Sequence, residues 1–155
     1  MGWVTLTLRK LTLRAEISSL ELRDIQMSRQ IRSVQRNLSY EQSVFNNNKK
    51  QELSAAKADY LEIRDNRPEV GSDEYNEWQL EYSAAREDYE AQKQDINDYY
   101  DDIMNELEEA ATDEETRLQE EQTTLEAQLE AMRSELETVS EQISSDIDSS
   151  KLNLK

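Results

Sequence analysis

The sequence predicts an all-α protein: a long helical hairpin, or extended coiled coil, with a single corner at Asp65–Ser72. Three observations lead there. Apolar residues recur at three- to four-residue spacing over most of the chain, the period of an amphipathic helix. Helix breakers are nearly absent, since Pro68 is the only proline and Gly2 and Gly71 the only glycines among 155 residues. The composition, 35% hydrophobic and 34% charged, cannot fill a thick core but suits a narrow seam between helices.

The corner follows from residue chemistry. Pro68 lacks an N–H and disfavours helical geometry at Arg67. Gly71 tolerates positive φ, and Ser72 is placed to cap a new helix whose first turn holds Asp73 and Glu74. The chain therefore divides into an arm over 1–66, a corner at 67–72, a second arm over 73–149 and a frayed tail at 150–155.

In the first arm, residues Trp3 to Leu8 alternate as a strand would, yet Leu6, Leu13, Ile17 and Leu20 carry a helical register back through them. The helix is expected to begin between Thr5 and Leu8. Residues 1–6 then form a frayed end or a tail that docks on a partner as an added strand. Two seven-residue series follow: Ile17, Asp24, Ile31, Leu38 and Phe45, and Leu13, Leu20, Met27, Val34 and Glu41. Eight of these ten positions are apolar, which is the strongest coiled-coil signal in the chain. Asp24 and Glu41 interrupt it, either at local openings or as buried polar devices that fix register. The stretch Asn46–Lys50 is a poor helix former, and the seam resumes at Leu53, eight residues after Phe45, so a continuous or kinked helix is expected at 46–50, with a true turn as the alternative.

The second arm opens with Tyr75, Trp78, Tyr82, Ala85 and Tyr89, and continues through Gln92, Ile96, Tyr99 and Ile103. Aromatics at this spacing signify packing. The stripe loses phase between Ile103 and Leu118, where Thr112–Glu115 fits a capping box; a helix passing straight through is the expectation. Heptads return with Leu118, Leu125, Leu129, Met132, Leu136, Val139 and Ile143.

Folding the arms back on each other sets residue i against about residue 139 − i. Tyr60 then neighbours Trp78, Tyr82 belongs with Pro68, Gly71 and Ser72 to the residues of the hairpin, and residues past Val139 overhang. The rule also lays the basic segment Arg9–Arg36 along the acidic segment Asp102–Glu130. That placement bears on charge, because residues 1–50 carry a balance of +5 and the remainder −22. At 1.5 Å per residue the arms measure roughly 90 and 110 Å. If Pro68 instead only kinks one rod, the opposite charges must be satisfied between chains.

Much chemistry is excluded. There is no cysteine and no histidine, hence no disulfide, no thiolate or imidazole metal site and no Ser-His or Cys-His nucleophile pair. The carboxylates Asp95, Asp98, Asp101 and Asp102 lack the glycine and terminal glutamate of a calcium loop. No phosphate-binding or dinucleotide-binding glycine pattern is present. The chain is expected to be non-enzymatic, with no cofactor, no metal and no small-molecule substrate. No secretion signal or membrane span is visible, which suits the cytoplasm or the inside of a viral particle. The basic residues of the first arm are spread around the helix, so direct binding to nucleic acid or membrane is not expected.

Two functional classes remain. One is a structural or assembly protein, a rod, spacer or scaffold pairing with itself or another helical protein. The heptads Leu13–Phe45 and Leu118–Ile143, with the scarcity of Gly and Pro and the absence of Cys and His, make the chain similar to the small acidic coiled-coil scaffolding and virion components of tailed phages. That resemblance is compositional, and it implies a structural role in a particle. The other class is an acidic binding module, a regulator, chaperone or nucleic-acid mimic occupying a basic surface.

Overall fold

A computed structural model describes residues 2–153, with backbone only for 152 and 153. It holds two helices, α1 over Trp3–Asp65 and α2 over Asp73–Asn153, and among the described residues no strand. The fold is an all-α helical hairpin, the two helices packing against each other.

Each helix end has a local cause. At the start of α1 the Gly2 carbonyl accepts from the N–H groups of Thr5 (3.1 Å) and Leu6 (3.4 Å). Helix therefore begins earlier than the Thr5–Leu8 expectation, and the strand-like alternation of Trp3–Leu8 is overridden. A strand needs a ladder partner, whereas helix satisfies its own backbone and places Leu6 in the seam. α1 then runs without interruption through Asn46–Lys50 to Asp65, and α2 through Thr112. Neither stretch contains the glycine or proline that would enforce a break. α2 also continues past residue 150 to Asn153; the last two residues of the expected tail lie outside the described ones.

At the corner, Gly71 adopts φ +93°. A Cβ there would meet nothing within 4 Å, so the demand is on backbone conformation rather than space. Ser72 caps α2: its Oγ accepts from the Tyr75 N–H at 3.1 Å and donates to the Glu69 carbonyl at 2.8 Å.

The chain forms two compact units, Met1–Val34 with Asp113–Lys155, and Gln35–Thr112. Each takes a piece of both arms, because a single arm has no core of its own. In the first, Leu13, Ile17, Leu118, Leu125, Leu129 and Val139 are buried, with Leu13 fully enclosed. In the second, Tyr100 is the one buried hydrophobic side chain among the described residues, and the rest of the seam is partly exposed.

The register differs from the 139 − i rule. Arg9, expected opposite Glu130, reaches Glu135 at 2.7 Å. Ser28, expected opposite Ala111, accepts from Gln122 at 2.8 Å. Lys49, expected opposite Glu90, lies 4.0 Å from Asp101. Part of the cause is the direction in which helical side chains lean. Each covers the turn N-terminal to its own Cα, and in an antiparallel pair both leans act in the same sense. They displace contacting residues by about two positions in all; the larger offsets of Glu135, Gln122 and Asp101 show that the corner also sets the two helices further along each other than the rule assumes. Residues just beyond Val139 are accordingly not an overhang: Ile143 and Ile147 are partly buried.

The period of the seam also changes. In α1 the inward positions run Leu38, Gln42, Phe45, Lys49, Leu53 and Ala56, so Gln42 replaces the expected Glu41, which is exposed. In α2 they run Ile96, Tyr100, Met104, Leu107 and Ala111, while Gln92 and Tyr99 are exposed. Both are eleven-residue spacings, and they occur in the same unit. An eleven-residue period drifts in the opposite sense to a heptad, so the two helices keep facing each other only because both switch. The eight-residue skip after Phe45 and the lost phase after Ile103 are one feature seen on two helices.

Candidate interaction surfaces

The expected seam residues are brought together in two sets. Leu13, Ile17, Leu20, Met27, Ile31 and Val34 share the first unit with Leu118, Leu125, Leu129, Met132, Leu136, Val139 and Ile143, all buried or partly so. Leu38 and Phe45 belong to the second, where Phe45 meets Tyr100 at 6.5 Å between ring centroids. Burial holds the Tyr100 hydroxyl above its ordinary pKa, with a further push from Glu52.

Near the corner the aromatics form a continuous stack. Tyr60 lies parallel to Tyr89 at 5.2 Å and near Tyr82 at 5.8 Å; Tyr82 stacks on Trp78 at 5.0 Å, and Trp78 on Tyr75 at 5.6 Å. Tyr60 thus packs on Tyr82 and Tyr89 instead of on Trp78. The residue opposite Trp78 is Ile63, whose carbonyl accepts from the indole Nε1–H at 2.7 Å. Arg67 closes the stack, its guanidinium 5.4 Å from the Tyr75 ring and 5.9 Å from Trp78. Pro68, next to it in sequence, is partly buried and lies outside both helices.

Polar groups enter the seam at one level of the first unit. The Gln122 amide donates to Ser28 Oγ and, at 3.5 Å, to the Asp24 carbonyl. Asp24 itself is partly buried, and its Oδ1 is shielded from water with no hydrogen-bond partner. Glu41 is exposed, so of the two interrupting carboxylates only Asp24 sits at the seam.

Charge pairing across the hairpin is sparse. Among the described residues the interhelical ion pairs are Arg9–Glu135, Lys49–Asp101 and Arg133–Glu21, the last with its cation on the acidic arm. Arg14, Arg23, Arg29, Arg32 and Arg36 form no salt bridge with a described residue. The strongest pairing on the acidic arm is local: Arg117 bonds Glu114 and Glu121 at 2.7 and 2.6 Å, and it lowers the Glu114 pKa.

Two apolar surfaces remain open. One is a groove of about 550 Å³ in the second unit, lined by Tyr40, Val44, Phe45, Ile103 and Leu107 with Glu41 and Glu106 at its rim. Tyr40 is 71% exposed there. The other is the outward face of α1, where Val4, Leu8, Leu11, Leu22 and Ile25 are each more than half exposed. Sequence reading missed this face, although its three–four spacing was visible, because the inward series dominated the pattern.

Among the described residues no three acidic side chains gather to hold a metal ion. No described helix is long and apolar enough to cross a membrane. No protein-family model matches the chain, and neither a curated protein nor a solved structure matches it significantly.

Proposed function

We propose that this chain is a structural coiled-coil protein, acting as a rod, spacer or scaffold by oligomerising or by docking in a larger assembly. A phage particle is one such setting, on the compositional resemblance alone. The observation that carries the reading is the thinness of the core. Seven hydrophobic side chains are buried among the described residues, while eleven large ones stand exposed. A two-helix seam that leaves this much apolar surface in water is completed by further helices. The same thinness leaves only shallow grooves for a small molecule, which supports a non-enzymatic role.

Light scattering on the purified full chain at low and high salt tests this. A homo-oligomer insensitive to salt is the expected result; a monomer at all concentrations, with no helical partner, overturns the reading.

One observation favours a second reading, an acidic module that occupies a basic protein surface. The carboxylates of the acidic arm have few cationic partners across the hairpin. Under that reading the chain is a monomer that captures a basic protein, and capture is lost as salt rises.

A further inference from the structure

We propose that the outward face of α1 is the contact between two copies of this chain, paired antiparallel about Ala15–Ser18. The inference rests on the assembly reading above and names its interface.

Val4, Leu8, Leu11, Ala15, Ser18, Leu22 and Ile25 alternate steps of four and three. All are exposed, and the five large ones range from 51% to 61%. At about 100° per residue this stripe lies about 150° round the helix from the inward series Leu13, Ile17 and Leu20. One side of α1 therefore packs on α2 and the other carries a second coiled-coil seam with no occupant. Among the described residues the acidic arm offers no matching stripe: the exposed large hydrophobics in α2 there are Leu80 and Tyr99.

From Leu8 to Ile25 the stripe reads the same from both ends, which selects a second copy as its occupant; Val4, outside that span, falls opposite Arg29. In one antiparallel register Leu8 meets Ile25 of the second copy, Leu11 meets Leu22, and Ala15 meets Ser18. Two-fold symmetry repeats each layer, as an isologous contact requires. The small residues fall at the centre, where they allow close approach, and the large ones flank them. Beside the stripe the same register sets Arg14, which forms no salt bridge with a described residue, against Glu21 of the second copy, twice, where it would share that carboxylate with Arg133 of the second copy. Parallel pairing also aligns the apolar residues. It puts Arg29 on Arg29 and Arg32 on Arg32 at the next stripe positions, however, and like charges there oppose it.

The test uses the full chain. Wild type is expected to weigh twice 18.2 kDa by light scattering, and Leu11→Glu/Leu22→Glu to weigh 18.2 kDa with unchanged helical circular dichroism. Arg14→Glu weakens the dimer, and adding Glu21→Arg restores it. A spin label on Thr5→Cys, in a chain otherwise without cysteine, sits about 35 Å from its copy at 1.5 Å per residue; parallel pairing brings the labels within about 15 Å. An oligomer that survives Leu11→Glu/Leu22→Glu overturns this interface and leaves the assembly reading standing. A wild-type monomer overturns this interface, and one that also takes no helical partner overturns both. A wild-type monomer that floats with phosphatidylcholine–phosphatidylglycerol vesicles, and stops doing so in the double variant, overturns the proposal in favour of a lipid-facing helix.

Discussion

The indole Nε1–H of Trp78 donates to the backbone carbonyl of Ile63 across 2.7 Å. Ile63 lies in the last turn of α1, where carbonyls have no partner within the helix. A side chain from the second turn of α2 thus completes the end of α1, and the hydrogen bond and the aromatic stack are made by one residue.

Trp78→Phe keeps a ring in the stack and deletes the donor. It is expected to cost about 1 kcal/mol in urea unfolding, with the loss confined to the corner by hydrogen exchange of the last turn of α1. No change in stability would mean that water satisfies the Ile63 carbonyl equally well.

Gly71→Ala tests the corner from the backbone side. The new methyl has room, yet the positive φ is strained for an L-residue, so a cost of about 1–2 kcal/mol is expected. Gly71→Asn should cost less, because asparagine tolerates that conformation. Ser72→Ala removes the cap and should cost about 1 kcal/mol.

Asp24 and Glu41 are alike in the sequence, each interrupting one of the two seven-residue series. Because Asp24 has a shielded, unpartnered oxygen and Glu41 is exposed, their replacements should differ. Asp24→Leu is expected to raise stability by about 1–3 kcal/mol, and Glu41→Leu to change it by less than about 0.5 kcal/mol. Thermal melts of the two variants decide this, and equal effects would contradict the seam phase described above.

Tyr100 carries the alkaline prediction. Its hydroxyl titrates above the ordinary value of 10.0 when folded, so the unfolded chain releases the proton first. Its contribution is present in full below about pH 10 and is lost as pH rises through the folded value. Thermal melts from neutral to strongly alkaline pH should show wild type losing stability faster than Tyr100→Phe above pH 10. Parallel curves would place the hydroxyl in water.

The hairpin and its corner were legible because the signals are local. Pro68, Gly71 and Ser72 act on their own backbone, and Leu13–Phe45 and Leu118–Ile143 show their period without a partner. The register was not. It depends on how far the corner sets one helix along the other and, in smaller part, on the N-terminal lean of the side chains, neither of which residue numbers carry, so counting from the corner pairs Tyr60 with Trp78 although it packs on Tyr82 and Tyr89. The switch to an eleven-residue period was half visible. The skip from Phe45 to Leu53 and the fading after Ile103 each looked like a defect, and only the paired helices show that they compensate. The outward stripe of α1 was hidden by its own neighbours, since Val4, Leu6 and Leu8 together mimic a strand until helix separates Leu6 from the other two.

Whether a chain with so thin a seam completes itself with another copy is tested most directly by its mass in solution. Light scattering of the full chain at high salt is predicted to give twice 18.2 kDa. A mass of 18.2 kDa, unchanged as concentration rises, would contradict it.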